Sequence, residues 1–315
     1  MNLEKILITG ASGFLGSALL EELSANKNGK NLVFSLGLKK PTGPSPQNLK
    51  HLSCNLEDRA DVQKAIKEIQ PDRIYHLAGV SQVSHSIAFE AYFKGNFLQT
   101  RNLLEALAEL KKPIRFLLAS SVHVYGNQKG NITEDLPTKV ESPYAFTKFL
   151  AEESLRQFCR EGTQREGLVI RLSSCLGPGQ GPGFVAGDFA QKIHLAIREN
   201  RSSIKTGPLD THRQFLDKKD AVRAFTILMS AQLSVPFEIF NLASPRKVTM
   251  AELLDEFLKS SGAQLKVEST LPKDNSFKGI EISISKFLKV AHSFTFCPLS
   301  ESVKAIWNQN QINAS

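Results

Sequence analysis

The sequence predicts an α/β fold: a Rossmann-type, doubly wound parallel sheet with a smaller C-terminal α/β substrate lobe. Three observations lead there. Short apolar runs alternate with amphipathic stretches of helical length through the first half of the chain. A glycine-rich turn, Gly10-Ala-Ser-Gly13-Phe-Leu-Gly16, directly follows the apolar run Ile6-Leu-Ile-Thr9. Far downstream, Tyr144-Ala-Phe-Thr-Lys148 sets a phenol and an ammonium one helical turn apart.

Apolar runs at 5–9, 32–36, 74–77, 114–119 and 168–172 read as strands, with helices expected over 15–23, 60–69, 97–110 and 145–158. That alternation implies right-handed crossovers and a sheet covered on both faces. Ligands on such sheets sit past the carboxyl ends of the strands. Residues 39–46 (KKPTGPSP) form a Pro/Gly-rich loop, and 177–183 (GPGQGPG) must be another. Beyond residue 172 the pattern loosens. A helix is expected near 189–198, short strands near Ile204, Phe215 and over 237–242, and helices at 221–230 and 250–258. The expected division is a dinucleotide-binding domain over 1–172, with segments returning from 204–243, and a mainly substrate-binding lobe over 173–315. The polar tail after Trp307 reads as frayed.

The 315 residues are 41% hydrophobic and 22% charged, an ordinary globular composition. Apolar runs fall short of the roughly 18 residues that a membrane span needs. The first strand begins near Leu3, which leaves no room for a cleavable leader. Cys54, Cys159, Cys175 and Cys297 are scattered without metal-ligand spacing, so idle thiols, no metal and a cytoplasmic setting are expected. The net charge of +8 favours anionic partners. The cations are spread along the chain and no basic-aromatic RNA-binding pattern occurs. A nucleotide or nucleotide-sugar therefore explains the sign better than nucleic acid.

In the glycine-rich turn, Gly10 permits the tight bend, Gly13 lets a pyrophosphate approach the backbone, and Gly16 allows close helix–strand packing. The following helix start offers free N–H groups to the anion. The ribose-binding acid expected about 20 residues later is missing: no Asp or Glu lies between Leu23 and Leu56, and Lys39 and Lys40 follow the second strand. A carboxylate there would repel a 2′-phosphate, and an ammonium attracts it. NADP(H) is therefore favoured over NAD(H).

Tyr144 and Lys148 suit hydride chemistry. An ammonium beside a phenol in a shielded cleft stabilises phenolate and, helped by the positive charge of the nicotinamide, is expected to lower its pKa, so that Tyr144 can exchange a proton with a carbonyl or alcohol oxygen. Ser121, after the 114–119 strand, can bond the same oxygen and fix its orientation. Asn96 is a further polar residue expected to face the cleft.

These residues resemble the extended short-chain dehydrogenase/reductase family, which comprises nucleotide-sugar epimerases, dehydratases and reductases. The resemblance runs through Thr9–Gly16, His76-Leu-Ala78, Asn96–Leu104, Ser120-Ser121, Val124-Tyr-Gly126 and Ser142–Lys148. It implies a catalytic triad of Ser121, Tyr144 and Lys148. The cofactor contacts it implies are Gly10, Ser12, Gly13, Phe14, Leu15, Gly16, Lys39, Asn55, Leu56, Leu77, Ala78 and Gly79, besides Tyr144 and Lys148. Substrate contacts would be Ser81, Ser121, His123, Tyr144, Ser174 and Arg213, with Arg213 clamping a diphosphate oxygen. Gly177–Gln180, Phe184-Val185 and Arg213–Asp217 look most like GDP-mannose 4,6-dehydratases and their sister 4-keto-6-deoxymannose reductases.

Departures narrow the expectation. His123 stands where the dehydratases carry an acid, which argues against a 4,6-dehydratase. Ser174 replaces the usual Asn, Asn55 replaces an acid in the Asp-Leu pair, and no basic substrate contact is recognisable near Asp274. The expected activity is an NAD(P)H-dependent reductase of a nucleotide-activated 4-keto-6-deoxyhexose. The alternatives are a nucleotide-sugar 4-epimerase with tightly bound NAD and, from another class, a non-catalytic cofactor-sensing or RNA-binding protein. The helices around Asn96 and Tyr144 form the dimer face in many relatives, so a homodimer is expected.

Overall fold

The computed structural model describes residues 3–25, 31–84, 86–181, 183–270 and 280–312, the last three by backbone alone. Seven parallel strands form the central sheet: β1 (Lys5–Thr9), β2 (Leu32–Leu36), β3 (Leu49–Leu52), β4 (Arg73–His76), β5 (Ile114–Ser121), β6 (Arg165–Leu172) and β7 (Phe237–Leu242). Their spatial order is β7-β6-β5-β4-β1-β2-β3. The order reverses at β1, so a crevice opens beyond the carboxyl ends of β1 and β4.

Alternation along each strand feeds two apolar layers. Ile6 and Ile8 of β1 face Leu19 of α1 (Phe14–Ala25) and Phe225 of α6 (Lys218–Ser230). Leu7 faces the other way, into a layer shared with Ile66 of α2 (Arg59–Ile69), Leu103 of α3 (Gln99–Ala108) and Leu155 of α4 (Pro143–Arg160). The start of α4 is set locally. Ser142 accepts from the Ala145 N–H at 3.2 Å and Pro143 occupies the first turn. That start fixes Tyr144 in the first turn and Lys148 one turn later.

The helix expected over 97–110 begins earlier and is irregular. A turn at Phe89–Tyr92 runs into a π-helical stretch, Phe93–Leu98, and then into α3. Gly95 makes this approach possible, because a Cβ there would stand 2.8 Å from Val80 Cγ2. Such π turns recur at functional sites. β3 was not anticipated: Leu-Lys-His-Leu is a short, half-buried edge strand with weak apolar alternation.

The C-terminal part packs α5 (Val185–Arg198), α7 (Met250–Ser261) and α9 (Leu299–Ile312) around Phe189, Ile193, Phe257 and Trp307; a short α8 (Ser285–Val290) precedes α9. Short two-stranded pairings, separate from the central sheet, run through this part. Leu216–Asp217 joins Cys175–Leu176, and His212–Arg213 joins Val248–Thr249. Phe237–Leu242 enters the main sheet beside β6, whereas Ser203–Thr206 pairs with Lys266–Ser269. The tail expected to fray from Trp307 is helical to Ile312. Val303, Ile306 and Trp307 form an i, i+3, i+4 stripe that docks it, and Trp307 stacks on His194 at 3.9 Å. Among the described residues no helix is long and apolar enough to cross a membrane.

Trp307, 3% exposed, is thus a core residue. Trp307→Ala is expected to cost about 3–5 kcal/mol in urea unfolding. A loss below about 1 kcal/mol would return the segment to a loosely held tail.

Candidate active site

A cleft of about 420 Å³ lies along the carboxyl edge of the sheet. Gly10, Gly13, Phe14, Leu15 and Gly16 form one wall and Leu77 and Gly79 the next. Ser121, His123, Tyr144 and Lys148 stand at its centre. The lobe closes it with Ser174, Cys175, Gln180, Phe184 and Phe215, and Ser81 lines it as well. No Asp or Glu stands among its described lining residues.

The glycine turn has the geometry expected at Gly10 and Gly16. Gly10 adopts φ +70°, and a Cβ there would sit 2.5 Å from the Ala78 nitrogen. A Cβ on Gly16 would collide with the Gly10 carbonyl oxygen, which explains the third glycine. The Gly13 N–H closes the turn onto Gly10 O at 2.9 Å. The first turn of α1 carries no acid, so the positive end of the helix faces the cleft uncompensated. A backbone cradle without side chains and a helix start without acid fit the diphosphate of a dinucleotide.

Buried hydrogen bonds tie this turn to the centre of the cleft. Thr100 spends its hydroxyl proton on Asn96 O at 2.6 Å, so His76 Nε2 must donate to Thr100 Oγ1 at 2.9 Å. His76 Nδ1 then accepts from Thr9 Oγ1 at 2.6 Å. Burial holds this imidazole neutral, with its pKa pushed down to about 3. Asn96 accepts from the Val80 N–H at 2.9 Å and donates to Thr147 Oγ1 at 3.2 Å. The Thr147 hydroxyl in turn donates to Tyr144 O at 3.0 Å. Asn96 is therefore a buried brace behind the cleft rather than one of its walls.

Ser121 ends β5 and lines the cleft together with Tyr144; its hydroxyl oxygen accepts from the His123 N–H at 3.3 Å. The rings of Tyr92 and His123 stand edge-on to Tyr144 at 5.8 and 5.7 Å. The expected lowering of the phenol does not occur. Burial pushes Tyr144 up to about 12, with the neighbouring Ser121 hydroxyl opposing the rise. Lys148 has turned its ammonium to the Ala119 carbonyl at 3.0 Å. Burial brings Lys148 down to about 8, with Glu152 pulling the other way. Glu152 is itself fully buried and gripped by Arg171, Nη2 to Oε2 at 2.7 Å.

The remaining expected residues fall into two groups. Ser81, His123 and Ser174 line the cleft. Burial, and secondarily the charge of Arg213, hold the His123 imidazole below its ordinary pKa. Arg213 is half-buried beside His123, off the cleft walls, and donates to His212 O at 2.8 Å. Ala78 lies against Gly10. Ser12 and Lys39 are exposed and Leu56 is buried core, all three away from the cleft lining. Asn55 is spent locally, its N–H on Asp61 and its Oδ1 on the Glu57 N–H. Asp274 lies outside the described residues. Cys175 and Phe215, one residue past Ser174 and two past Arg213, line the cleft with no polar signal to mark them, and Gln180 of the Gly177–Gln180 run lines it too.

Fold and cleft together define a Rossmann-type protein built to hold a dinucleotide beside a buried tyrosine. Residues 6–243 match the NAD dependent epimerase/dehydratase family, and the chain belongs to it. It is similar to a UDP-glucose 4-epimerase of Mycoplasma pneumoniae, 32% identical over 84% of this chain and 85% of that one. It is also similar to the GDP-6-deoxy-D-mannose reductase of Pseudomonas aeruginosa, 30% identical over 84% and 82%. Among solved structures, RMD from Pseudomonas aeruginosa complexed with NADPH superposes with a TM-score of 0.82 at 23% identity, covering 99% of this chain and 98% of that one.

A buried ammonium opposes folding near neutrality. The folded protein releases the Lys148 proton near 8, against an ordinary 10.5. Wild-type stability should therefore rise as pH climbs through that interval. Lys148→Met is expected to melt higher than wild type at pH 7, an advantage of at most roughly 3 kcal/mol that fades towards pH 10.5. A variant that melts lower at pH 7 with no pH trend would contradict the burial argument.

Proposed function

We propose that the protein is an NAD(P)H-dependent reductase of a nucleotide-activated 4-keto-6-deoxyhexose, adding hydride at C4 and a proton from Tyr144 at the oxygen. The observation that carries this reading is a phenol kept protonated by burial, beside Ser121, in a cleft with no carboxylate among its described lining residues. Bound NADP(H) would supply the hydride. Gly10, Gly13, Gly16 and the start of α1 would hold its diphosphate, and Lys148 its ribose.

Ser121 orients the carbonyl oxygen, and Tyr144 donates its proton as negative charge develops there. A phenol that loses its proton only near 12 stays loaded as an acid throughout the working range. The Lys148 ammonium, close by in a low-dielectric site, stabilises the phenolate left behind. Elimination of water would need a second acid–base group, and the acid position of a dehydratase is held by His123, whose imidazole burial keeps neutral. Arg213, beside it, adds positive charge that suits a diphosphate.

The 32% identical 4-epimerase supports a second reading, epimerisation at C4 with retained NAD. That chemistry begins with Tyr144 as a base, and the burial that keeps its proton in place opposes it. The exposed Lys39 and Lys40 past β2 and the acid-free segment before Leu56 favour NADP(H). Free thiols at all four cysteines suit a reducing, cytoplasmic setting. On the outer face, Phe89 (49% exposed) and Phe146 (42%) lie 6.4 Å apart, and Phe93 stands 5.9 Å from Phe89 and 5.0 Å from Phe97. This aromatic patch on the α3 and α4 side supports a homodimer.

Reduction is tested by screening GDP-, dTDP-, UDP- and CDP-linked 4-keto-6-deoxyhexoses with both reduced cofactors, following absorbance loss at saturating substrate. Tyr144→Phe should lower kcat on the accepted substrate by at least about 100-fold while NADPH still binds. Unchanged turnover would remove Tyr144 from the chemistry. Paired Lys39→Ala and Lys40→Ala substitutions should cut the preference for NADPH over NADH about tenfold. An unaltered ratio would place the 2′-phosphate elsewhere. In sedimentation velocity, Phe146→Glu should shift the protein from dimer to monomer, and a wild-type monomer would refute the interface.

A further inference from the structure

The loop 177–183 is held against the lobe from several sides. Lys218 Nζ donates to Pro178 O at 2.6 Å, and the Gly183 N–H donates to Asp188 Oδ1 at 2.9 Å. Gly187 of α5 lets the loop lie flat: a Cβ there would strike Gly181 O and stand 2.9 Å from Gln180 O. The main chain of Gln180 is thereby fixed on the cleft wall.

Its side chain is fixed as well. Gln180 Nε2 donates to Cys175 O at 2.8 Å. A carbonyl only accepts, so the amide cannot be flipped without setting oxygen against oxygen. Gln180 Oε1 is consequently buried with no hydrogen-bond partner among the described residues. Buried carbonyls are rarely left this way, because an unmet acceptor is costly. In a cleft lining, a ligand donor is the natural completion.

The neighbours identify that donor. A neutral acceptor has nothing to offer phosphate oxygens. Ser121 and Tyr144 already serve the reacting oxygen in the proposed reduction, and Ser173 Oγ is committed to Gln214 O at 2.6 Å. A sugar brings several hydroxyl donors, yet no carboxylate among the described lining residues can receive them. We infer that Gln180 Oε1 accepts a hydrogen bond from a ring hydroxyl of the sugar, which makes Gln180 a sugar-positioning and specificity-determining residue. The inference rests on the nucleotide-sugar reading above and not on the direction of hydride transfer.

Calorimetric titration tests it without turnover. The wild-type protein and Gln180→Leu, each loaded with NADP⁺, are titrated with GDP-mannose and GDP, dTDP-glucose and dTDP, UDP-glucose and UDP, and CDP-glucose and CDP. Within the pair that binds, the affinity gained from the sugar should fall about fivefold in Gln180→Leu. Affinity for the bare nucleotide and for NADPH, and the melting temperature, should hold. On the wild-type protein alone, one of the 2-deoxy and 3-deoxy forms of the accepted sugar nucleotide should lose a similar factor, which keeps the test valid if the variant folds poorly. An undiminished sugar increment in a folded variant overturns the inference. So does weaker NADPH binding with the increment kept, which would assign the oxygen to the cofactor's carboxamide. A wild-type protein that gains no affinity from any sugar overturns the nucleotide-sugar reading and this inference together.

Discussion

Burial of the Tyr144 phenol and the Lys148 ammonium at the carboxyl edge of the sheet is the constraint on which the site depends. Each group is placed where its charged form is disfavoured, so the phenol keeps its proton and the ammonium holds its proton less firmly. Compensation comes from beneath. The Ala119 carbonyl receives the ammonium, Glu152 supplies countercharge, and Arg171 neutralises Glu152 in turn. Arg171 then lies over the Tyr125 ring at 4.6 Å. A polar column thus runs from the cleft into the interior between β5, β6 and α4.

A second set of buried bonds gives the cleft its shape. His76 joins β1 to the helical segment that follows β4, and Asn96 joins that segment to the loop after β4 and to α4. The glycine turn and Tyr144 are therefore linked through side chains none of which is charged. Such a frame does not titrate in the working range, since His76 stays neutral well below neutrality. It can keep a proton donor in register with a carbonyl without competing for the proton.

Much of this was legible in the sequence where local chemistry decides the structure. The glycine turn announced itself because only residues without a Cβ fit at Gly10 and Gly16. The Ser142-Pro143 cap located α4, and with it the spacing of Tyr144 and Lys148. Less legible were features set by tertiary environment. Spacing alone suggested that Lys148 would acidify Tyr144, yet desolvation dominates and the ammonium turns to Ala119. The π-helical stretch depends on Gly95 meeting Val80, residues 15 apart in sequence, and periodicity cannot reveal that contact. Asn55 and Leu56 matched a motif, but local bonds and core packing occupy them. Gln180 stood in a recognised loop, and its unmet oxygen could be seen only once the fold brought Cys175 beside it.

If this cleft reduces a carbonyl with Tyr144 as the acid, hydride must pass from the cofactor to C4 of the sugar, and isotope labelling reads that transfer. NADPH deuterated at the transferred position of the nicotinamide is incubated with the accepted 4-keto-6-deoxyhexose nucleotide. The product is examined by mass spectrometry and proton NMR, and oxidised cofactor is quantified. Reduction places one deuterium at C4 and oxidises one cofactor per product molecule. A sugar nucleotide inverted at C4, unlabelled and formed without net oxidation of cofactor, would contradict it and establish the epimerase.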